Sequence, residues 1–352
     1  MTTSVKPTAE VVRQARIDNP KVRERDLAIQ LGISEAELVA AHVGFGAIRL
    51  EPNTDTLLNG IGAVGEVLAL TRNFSAVHEK IGPYENVRPG KHAALVLGEQ
   101  IDLRIFPKVW ASGFAVDKAD GDTVRRSLQF FDRNGDAVHK IHLRPASNRD
   151  AYHLLVEQLK SEDQSQLIPT REKTASEADP YDTNVDVTAL RDRWSKMTDT
   201  HQFVGILRDL RLSRQQALKS VGLDYAWPLD NDTVSAMLHH SVQEEIPIMC
   251  FVGSKGCIQI HTGPIRNIKA MGPWINILDE TFHLHLRNDH IKQVWAVRKP
   301  SKDGHITSLE AYDAQGEMII QFFGKRHEGH AESADWRTLV ESLPRLASSF
   351  AA

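Results

Sequence analysis

Ser127-Leu128, Phe131-Asp132 and Gly135-Asp136 recur as Ser308-Leu309, Tyr312-Asp313 and Gly316-Glu317, all at an offset of 181 positions. Upstream, Phe114-Ala115-Val116 matches Trp295-Ala296-Val297 at the same offset, and Leu31-Gly32-Ile33-Ser34 aligns with Leu210-Arg211-Leu212-Ser213 at 179. The order of the matched segments is kept, as a tandem duplication of a whole domain requires and a short-period solenoid does not. A duplicated scaffold tends to place its function where the copies differ, so the second copy is read against the first.

Each copy opens with helical signals. Residues 8–44 read as helices, with Ser34 and Glu37 as a capping box before Leu38, Val39 and Val43, and Gly44 as a terminator. Residues 188–222 repeat the plan: Leu190, Trp194 and Met197 keep helical spacing, a new helix starts at Thr198 or Asp199, and Ser213 with Gln216 caps the next before Gly222. After each helical block come alternating apolar segments and tight turns, over 93–106, 127–143, 248–261 and 281–286, which read as antiparallel strands joined by hairpins. The expected fold class is α+β, a tandem duplication of a domain with N-terminal helices followed by a large antiparallel β-sheet. Residues 1–161 and 187–352 are the two repeats, and the polar, proline-containing stretch 162–186 is the linker.

At 352 residues the chain is long enough for two domains that each bury a core. A net charge of −4 supplies no basic field and argues against tight nonspecific nucleic-acid binding. Cys250 and Cys257 lie in strand-like apolar sequence, and neither a secretory leader nor a bilayer-length apolar run is evident. The expectation is a cytoplasmic, reduced protein without membrane insertion. Sixteen histidines raise the prospect of ligation only slightly.

Six groups of residues carry chemical signals. Ala28, Gly32 and Leu38 are spaced as in a helix-turn-helix, which leaves a DNA-binding regulator responding to a small ligand as the alternative function. Against it, Ser34-Glu35-Ala36-Glu37 opens the would-be reading helix with carboxylates that would face phosphates, although Arg214 and Lys219 make the second copy less hostile. His201 stands near a helix N-terminus, where the dipole disfavours imidazolium and keeps a ring nitrogen available to iron. A partly exposed histidine packed on its own helix is the plainer alternative. Period-two alternation places Arg104 and Phe106 on one strand face and Leu103 and Ile105 on the other, an arrangement suited to a flat anionic ligand or simply to a solvated face. Gln321 and Phe323 likewise project together before Lys325 and Arg326. Trp295, Val297 and Lys299 share a face, and Pro300 is expected to end that strand and leave Lys299 at a rim. His283 and His285 share a face but lack supporting carboxylate or cysteine ligands for zinc. No phosphate loop, nucleophile elbow or HExxH element is present, and no residue is assigned a catalytic role.

Longer stretches carry a family likeness. Leu31-Gly32-Ile33-Ser34-Glu35-Ala36-Glu37-Leu38, Gly65-Glu66-Val67, Val77-His78-Glu79-Lys80 and Ile101-Asp102-Leu103-Arg104-Ile105-Phe106 carry it, as do residues 125–132 and 138–145. So do Met197-Thr198-Asp199-Thr200-His201-Gln202-Phe203, residues 213–218 and Phe322-Phe323-Gly324-Lys325-Arg326. Over almost its whole length the chain resembles the bacterial haemin-degrading and haem-trafficking proteins of the HemS, ChuS and PhuS type. The resemblance implies a cytoplasmic protein of iron acquisition that receives imported haem b (iron protoporphyrin IX) and holds it between two repeats. It implies His201 as the axial iron ligand, with Arg104, Arg214, Lys299 and Arg326 holding propionates or lining the haem edge. Phe106, Phe251 and Gln321 become pocket walls. One departure is Phe323, where several relatives carry a tyrosine, so the phenolic hydroxyl that would bond haem or a distal water is missing. Implied partners are a haem importer ATPase complex, a haem oxygenase or an electron-donating reductase. Since nothing resembles a flavin or nicotinamide site, haem binding and delivery is the favoured reading, with oxidative degradation and iron release as a coupled or alternative activity.

The copies are unequal at these positions. Val22 stands where the second copy has His201, Glu35 where it has Arg214, and His285 where the first copy has Arg104. The expectation is therefore one haem site assembled from complementary halves.

Overall fold

A computed structural model of the chain describes residues 6–168, 184–326 and 329–346. The first half runs through helices α1 (Ala9–Asp18), α2 (Glu24–Gln30) and α3 (Glu35–Ala40), strand β1 (Ala47–Leu50) and helix α4 (Thr54–Ile61). Strands β2 (Val67–Arg72), β3 (Ala76–Gly82), β4 (Val87–Arg88), β5 (Ala94–Leu97) and β6 (Asp102–Ile105) follow. Strands β7 (Ser112–Asp120), β8 (Thr123–Phe131) and β9 (Ala137–Leu143) lead to α5 (Arg149–Leu159).

The second half repeats this order element for element. Helices α6 (Val187–Ser195), α7 (Gln202–Asp209) and α8 (Arg214–Ser220) precede β10 (Ala226–Leu229) and α9 (Thr233–Gln243). Then come β11 (Ile248–Gly253), β12 (Cys257–Gly263), β13 (Ile268–Met271), β14 (Trp274–Leu278) and β15 (Phe282–Arg287). Strands β16 (Gln293–Ser301), β17 (Gly304–Tyr312) and β18 (Met318–Gly324) lead to α10 (Ala334–Ser342). The α+β duplication expected from the repeated segments is the observed architecture.

The local reasons are visible in both copies. Ser34 accepts from the Glu37 amide while Glu37 reaches back to the Ser34 amide, and Ser213 with Gln216 forms the same reciprocal cap. Gly44 and Gly222 end their helical blocks at positive φ, +83° and +100°, which glycine alone adopts without a steric penalty. One helix start differs from expectation. Thr198 and Asp199 lie before α7, their amides held by the Gln202 side chain at 2.9 and 3.3 Å, and His201 is the N-cap residue.

The strands form two nine-stranded sheets, ordered β1-β7-β8-β9-β2-β3-β15-β14-β13 and β10-β16-β17-β18-β11-β12-β6-β5-β4. The resolved registers are antiparallel, for example Gln129 opposite Lys140 and Glu310 opposite Gln321. Two compact units divide the chain. The first comprises Met1–Arg72, His78–Thr174 and Gly253–Gln259; the second comprises Asn73–Val77, Ala175–Val252 and Ile260–Ala352. Of the stretch 162–186, residues 169–183 lie outside the described residues. At its start, Gln164 bonds both backbone groups of Arg49 in β1, at 3.0 and 2.9 Å.

Within each unit, helices pack on both faces of the strands. In the first, α4 and α5 supply Leu57, Ile61, Tyr152 and Leu155 to a core with Val67, Phe130 and Ile141, and Cys257 belongs to that core. On the opposite face, Ala36, Val39 and Ala40 of α3 meet Phe114 and Phe131. Alternation along β8 sends the adjacent Phe130 and Phe131 to different layers. In the second unit, Met237, Trp336 and Val340 pack on Ile248, Cys250 and Phe322, while Trp194, Phe203 and Leu218 pack on Trp295, Val297 and Tyr312. Both cysteines are buried, and burial pushes their thiols up, Cys257 to about 12.

Candidate functional site

His201 projects from the start of α7, its side chain 93% exposed. Its Nδ1 donates to Asp199 Oδ1 at 2.7 Å, and its backbone amide reaches the same oxygen at 2.7 Å. A carboxylate only accepts, so this contact fixes the Nδ1–H tautomer and leaves the Nε2 lone pair facing solvent. The backbone and ring hydrogen bonds from His201 hold the Asp199 carboxyl below its usual range, and Arg326 adds to that effect from nearby. A histidine braced through one nitrogen by a carboxylate and open at the other has the donor arrangement of a metal ligand.

The wall behind α7 is built around one fully buried carboxylate. Glu310 in β17 accepts from Arg214 Nε and Nη2 at 2.8 and 2.6 Å, Lys299 Nζ at 3.0 Å and Ser308 Oγ at 2.9 Å. Tyr312 OH at 2.6 Å and Gln321 Nε2 at 3.0 Å complete its shell. Burial alone would raise Glu310; Arg214 and Lys299 override it and hold the carboxyl well below the usual range. Burial pulls Lys299 down to about 8 against the opposing pull of Glu310. The ring of Phe203 packs against both cations, 4.9 Å from Arg214 Cζ and 4.8 Å from Lys299 Nζ.

Two expectations are corrected here. Lys299 is not at a rim: β16 continues through Pro300, which pairs with His305, to Ser301, and Lys299 is 4% exposed. The Arg298 amide bonds Tyr225 beside β10, so two residues on the N–H that proline lacks would point past the end of β10, where no ladder partner is needed. The charges of the helix-turn-helix reading are also placed differently. Glu35 does not face outward; it is buried between Arg72 and Lys140, the latter at 2.5 Å. Arg214 is likewise paired with the buried Glu310, although its side chain keeps partial exposure, and Lys219 remains exposed on α8.

The other predicted residues divide between the units. Gln321 bonds Glu310, and Phe251 and Phe323, half-buried on neighbouring β11 and β18, meet edge to face with centroids 5.0 Å apart. Arg326 lies just beyond β18. All of these, with His201, Arg214 and Lys299, belong to the second unit. Arg104 and Phe106 belong to the first. There Leu103 and Ile105 are buried, Arg104 is half-exposed and paired with Asp102, and the Phe106 amide donates to Gly256 at 2.9 Å. His285 bonds Asn276 at 2.7 Å, and no cluster of three or more metal-ligating side chains occurs among the described residues. Glu310 was missed by sequence reasoning. The signal available was its alignment with Gln129 at the offset of 181, a neutral residue exchanged for a buried charge.

A model of the haemin-degrading HemS/ChuX domain matches residues 32–159 and 211–343, one copy on each repeat. The chain belongs to this family. It is 41% identical over 333 residues to the hemin transport protein HmuS of Yersinia pestis, covering 94% of this chain and 95% of that protein. Among solved structures, holo-PhuS, a heme-binding protein from Pseudomonas aeruginosa, superposes with a TM-score of 0.93 at 41% identity, over 96% of this chain and 99% of that one. The heme-degrading enzyme ChuS of Escherichia coli O157:H7 superposes with a TM-score of 0.89 at 34% identity, over 96% and 100% of the two chains.

Proposed function

We propose that this chain binds haem b through His201 Nε2 and serves its delivery inside the cell, with oxidative breakdown and iron release as a coupled activity. The observation that carries the reading is the exposed Nε2 of His201, braced through Nδ1 by Asp199. A porphyrin needs apolar area, cations for two carboxylates and one axial donor. Phe251 and Phe323 supply aromatic surface, Arg214 and Arg326 supply cations near α7, and His201 supplies the donor. When bound, the iron supplies redox and oxygen chemistry, and this chain's residues orient the ligand and hold its carboxylates.

The relatives support both branches, since one is named a transport protein and another a degrading enzyme. A cytoplasmic location, an importer ATPase donor and a reductase or haem oxygenase partner belong to the same proposal. Among the described residues no helix is long and apolar enough to cross a membrane.

The test is titration with haemin. A stoichiometric Soret complex is expected, and His201→Ala should change its ligation and weaken it; an unaltered spectrum and affinity would remove His201 from the role. Aerobic turnover with a reductase and catalase present, followed by identification of the tetrapyrrole product, separates the branches. Product that disappears when catalase removes peroxide identifies a carrier undergoing coupled oxidation.

A further inference from the structure

Two cations and one carboxylate share the buried wall behind α7, leaving a single net positive charge there. The three groups differ in access. Glu310 is fully buried and Lys299 nearly so, whereas the Arg214 side chain retains 24% exposure. The bidentate contact uses Nε and Nη2 of Arg214, so Nη1 lies outside the pair, on a side chain that keeps partial exposure. Four elements meet at Glu310: Arg214 from α8, Lys299 from β16, Ser308 and Tyr312 from its own β17, and Gln321 from β18. Phe203, two residues after His201, lies against both cations.

We propose that Glu310 is the positioning residue of this site: its carboxylate aims the Arg214 guanidinium at a carboxylate of the bound tetrapyrrole and keeps Lys299 charged against Phe203, which seats the first turn of α7 and with it His201. The inference rests on the haem-binding reading and adds a requirement that the reading lacks, namely that recognition of a ligand carboxylate depends on a buried residue that never touches the ligand. Lys299 then contributes to retention through Glu310 and Phe203 rather than by direct contact. Loss of the Lys299 proton, centred near pH 8, removes the net positive charge of the wall and loosens the ligand.

The experiment uses the full chain loaded with haemin or with haemin dimethyl ester, and dissociation is followed by capture with excess apomyoglobin between pH 6 and 9.5. The wild type should release haemin more slowly than the ester, and haemin release should accelerate as pH passes about 8. In Glu310→Gln the free-acid preference should vanish, the acceleration should move to lower pH, and release at neutral pH should rise by about tenfold or more. Glu310→Gln leaves two buried cations without a counter-charge, so Lys299→Met provides a second variant in which the Arg214–Glu310 pair stays intact. It should fold, keep the Soret maximum, release haemin faster and lose the acceleration near pH 8. Wild-type pH dependence and wild-type acid-over-ester preference in these variants would overturn the inference while leaving the haem-binding reading in place. Absence of any His201-dependent Soret complex in the wild type would overturn both.

Discussion

The residue scale decides the chemistry of His201. Its exposure was available from the polar run Thr198-Asp199-Thr200, but the carboxylate at Nδ1 and the resulting tautomer required the turn that places Asp199 under the ring. Asp199→Ala should therefore weaken haemin binding by about 10–100-fold while preserving a histidine-ligated spectrum, because such outer partners orient the ligand without replacing it; a Soret titration reads both effects. Lys299 gives a second prediction in the apo-protein. Its folded value of about 8 lies below its ordinary 10.5. Between these values the unfolded chain binds more protons than the folded one, so this residue's contribution makes stability rise with pH across that window. Denaturant midpoints of the wild type should gain on those of Lys299→Met from pH 8 to 10. A constant difference between the two would show that Lys299 has no depressed value. His139 works in the acid range: burial pulls it down to about 3, so its contribution to stability is lost as pH falls from about 6.5 toward that value. Its place in the strand-like stretch 127–143 was legible in the sequence, whereas its partners, Tyr84 at 2.6 Å and Thr71 at 2.8 Å, come from two other segments.

At the scale of elements, the two copies use the same helix cap and opposite charge polarity to fasten the third helix to the sheet. In the first copy the helix contributes the acid, Glu35, and the strands the bases, Arg72 and Lys140. In the second the helix contributes the base, Arg214, and the strand the acid, Glu310. The alignment of Glu35 with Arg214 was legible as a difference, but its meaning was not, because the partners lie 37 to 105 residues away and either charge alone reads as a solvated face. The hairpin between β8 and β9 offers a prediction at this scale. Gly135 has φ +77°, and a Cβ there would lie 2.2 Å from the Ser34 hydroxyl that caps α3. Gly121 has φ +59° with open space around it. Alanine at Gly121 should cost about 1–2 kcal/mol, the left-handed penalty alone, and alanine at Gly135 measurably more, since the cap must also move. Equal losses in chemical denaturation would show that the turn does not bear on α3.

On the scale of the whole molecule, the compact units do not coincide with the repeats. Gly253–Gln259, from the second half of the sequence, belongs to the first unit. There the Gly256 carbonyl accepts from the Phe106 amide at 2.9 Å and from Trp110 Nε1 at 3.0 Å, and Gln259 Nε2 donates to the Ala69 carbonyl at 2.9 Å. A fragment of residues 1–161 lacks that segment and leaves buried polar groups unpaired, each at a cost of about 1–3 kcal/mol. Trp110 is the only tryptophan in that fragment, so its fluorescence reports the defect directly. Red-shifted emission and a lowered denaturation midpoint are expected, with recovery when residues 187–352 are supplied in trans. A fragment that matches the intact chain in both would show the segment to be dispensable.

The sequence by itself determined the duplication, the helices that open each copy and the antiparallel strands that follow them, the paired capping boxes and the distinction of His201 from Val22. These rest on interactions within a few residues, on side-chain period and on the self-similarity of two copies of one text. Only the tertiary structure decided the strand order of the sheets, the assignment of Gly253–Gln259 to the first unit and the burial of Glu310 among its partners. A strand's alternation states which face it buries but not which strand lies at its edge, since backbone hydrogen bonds are the same for every neighbour. A buried carboxylate has no pattern of its own either: its stability depends on the cations, hydroxyls and amide that other segments bring to it.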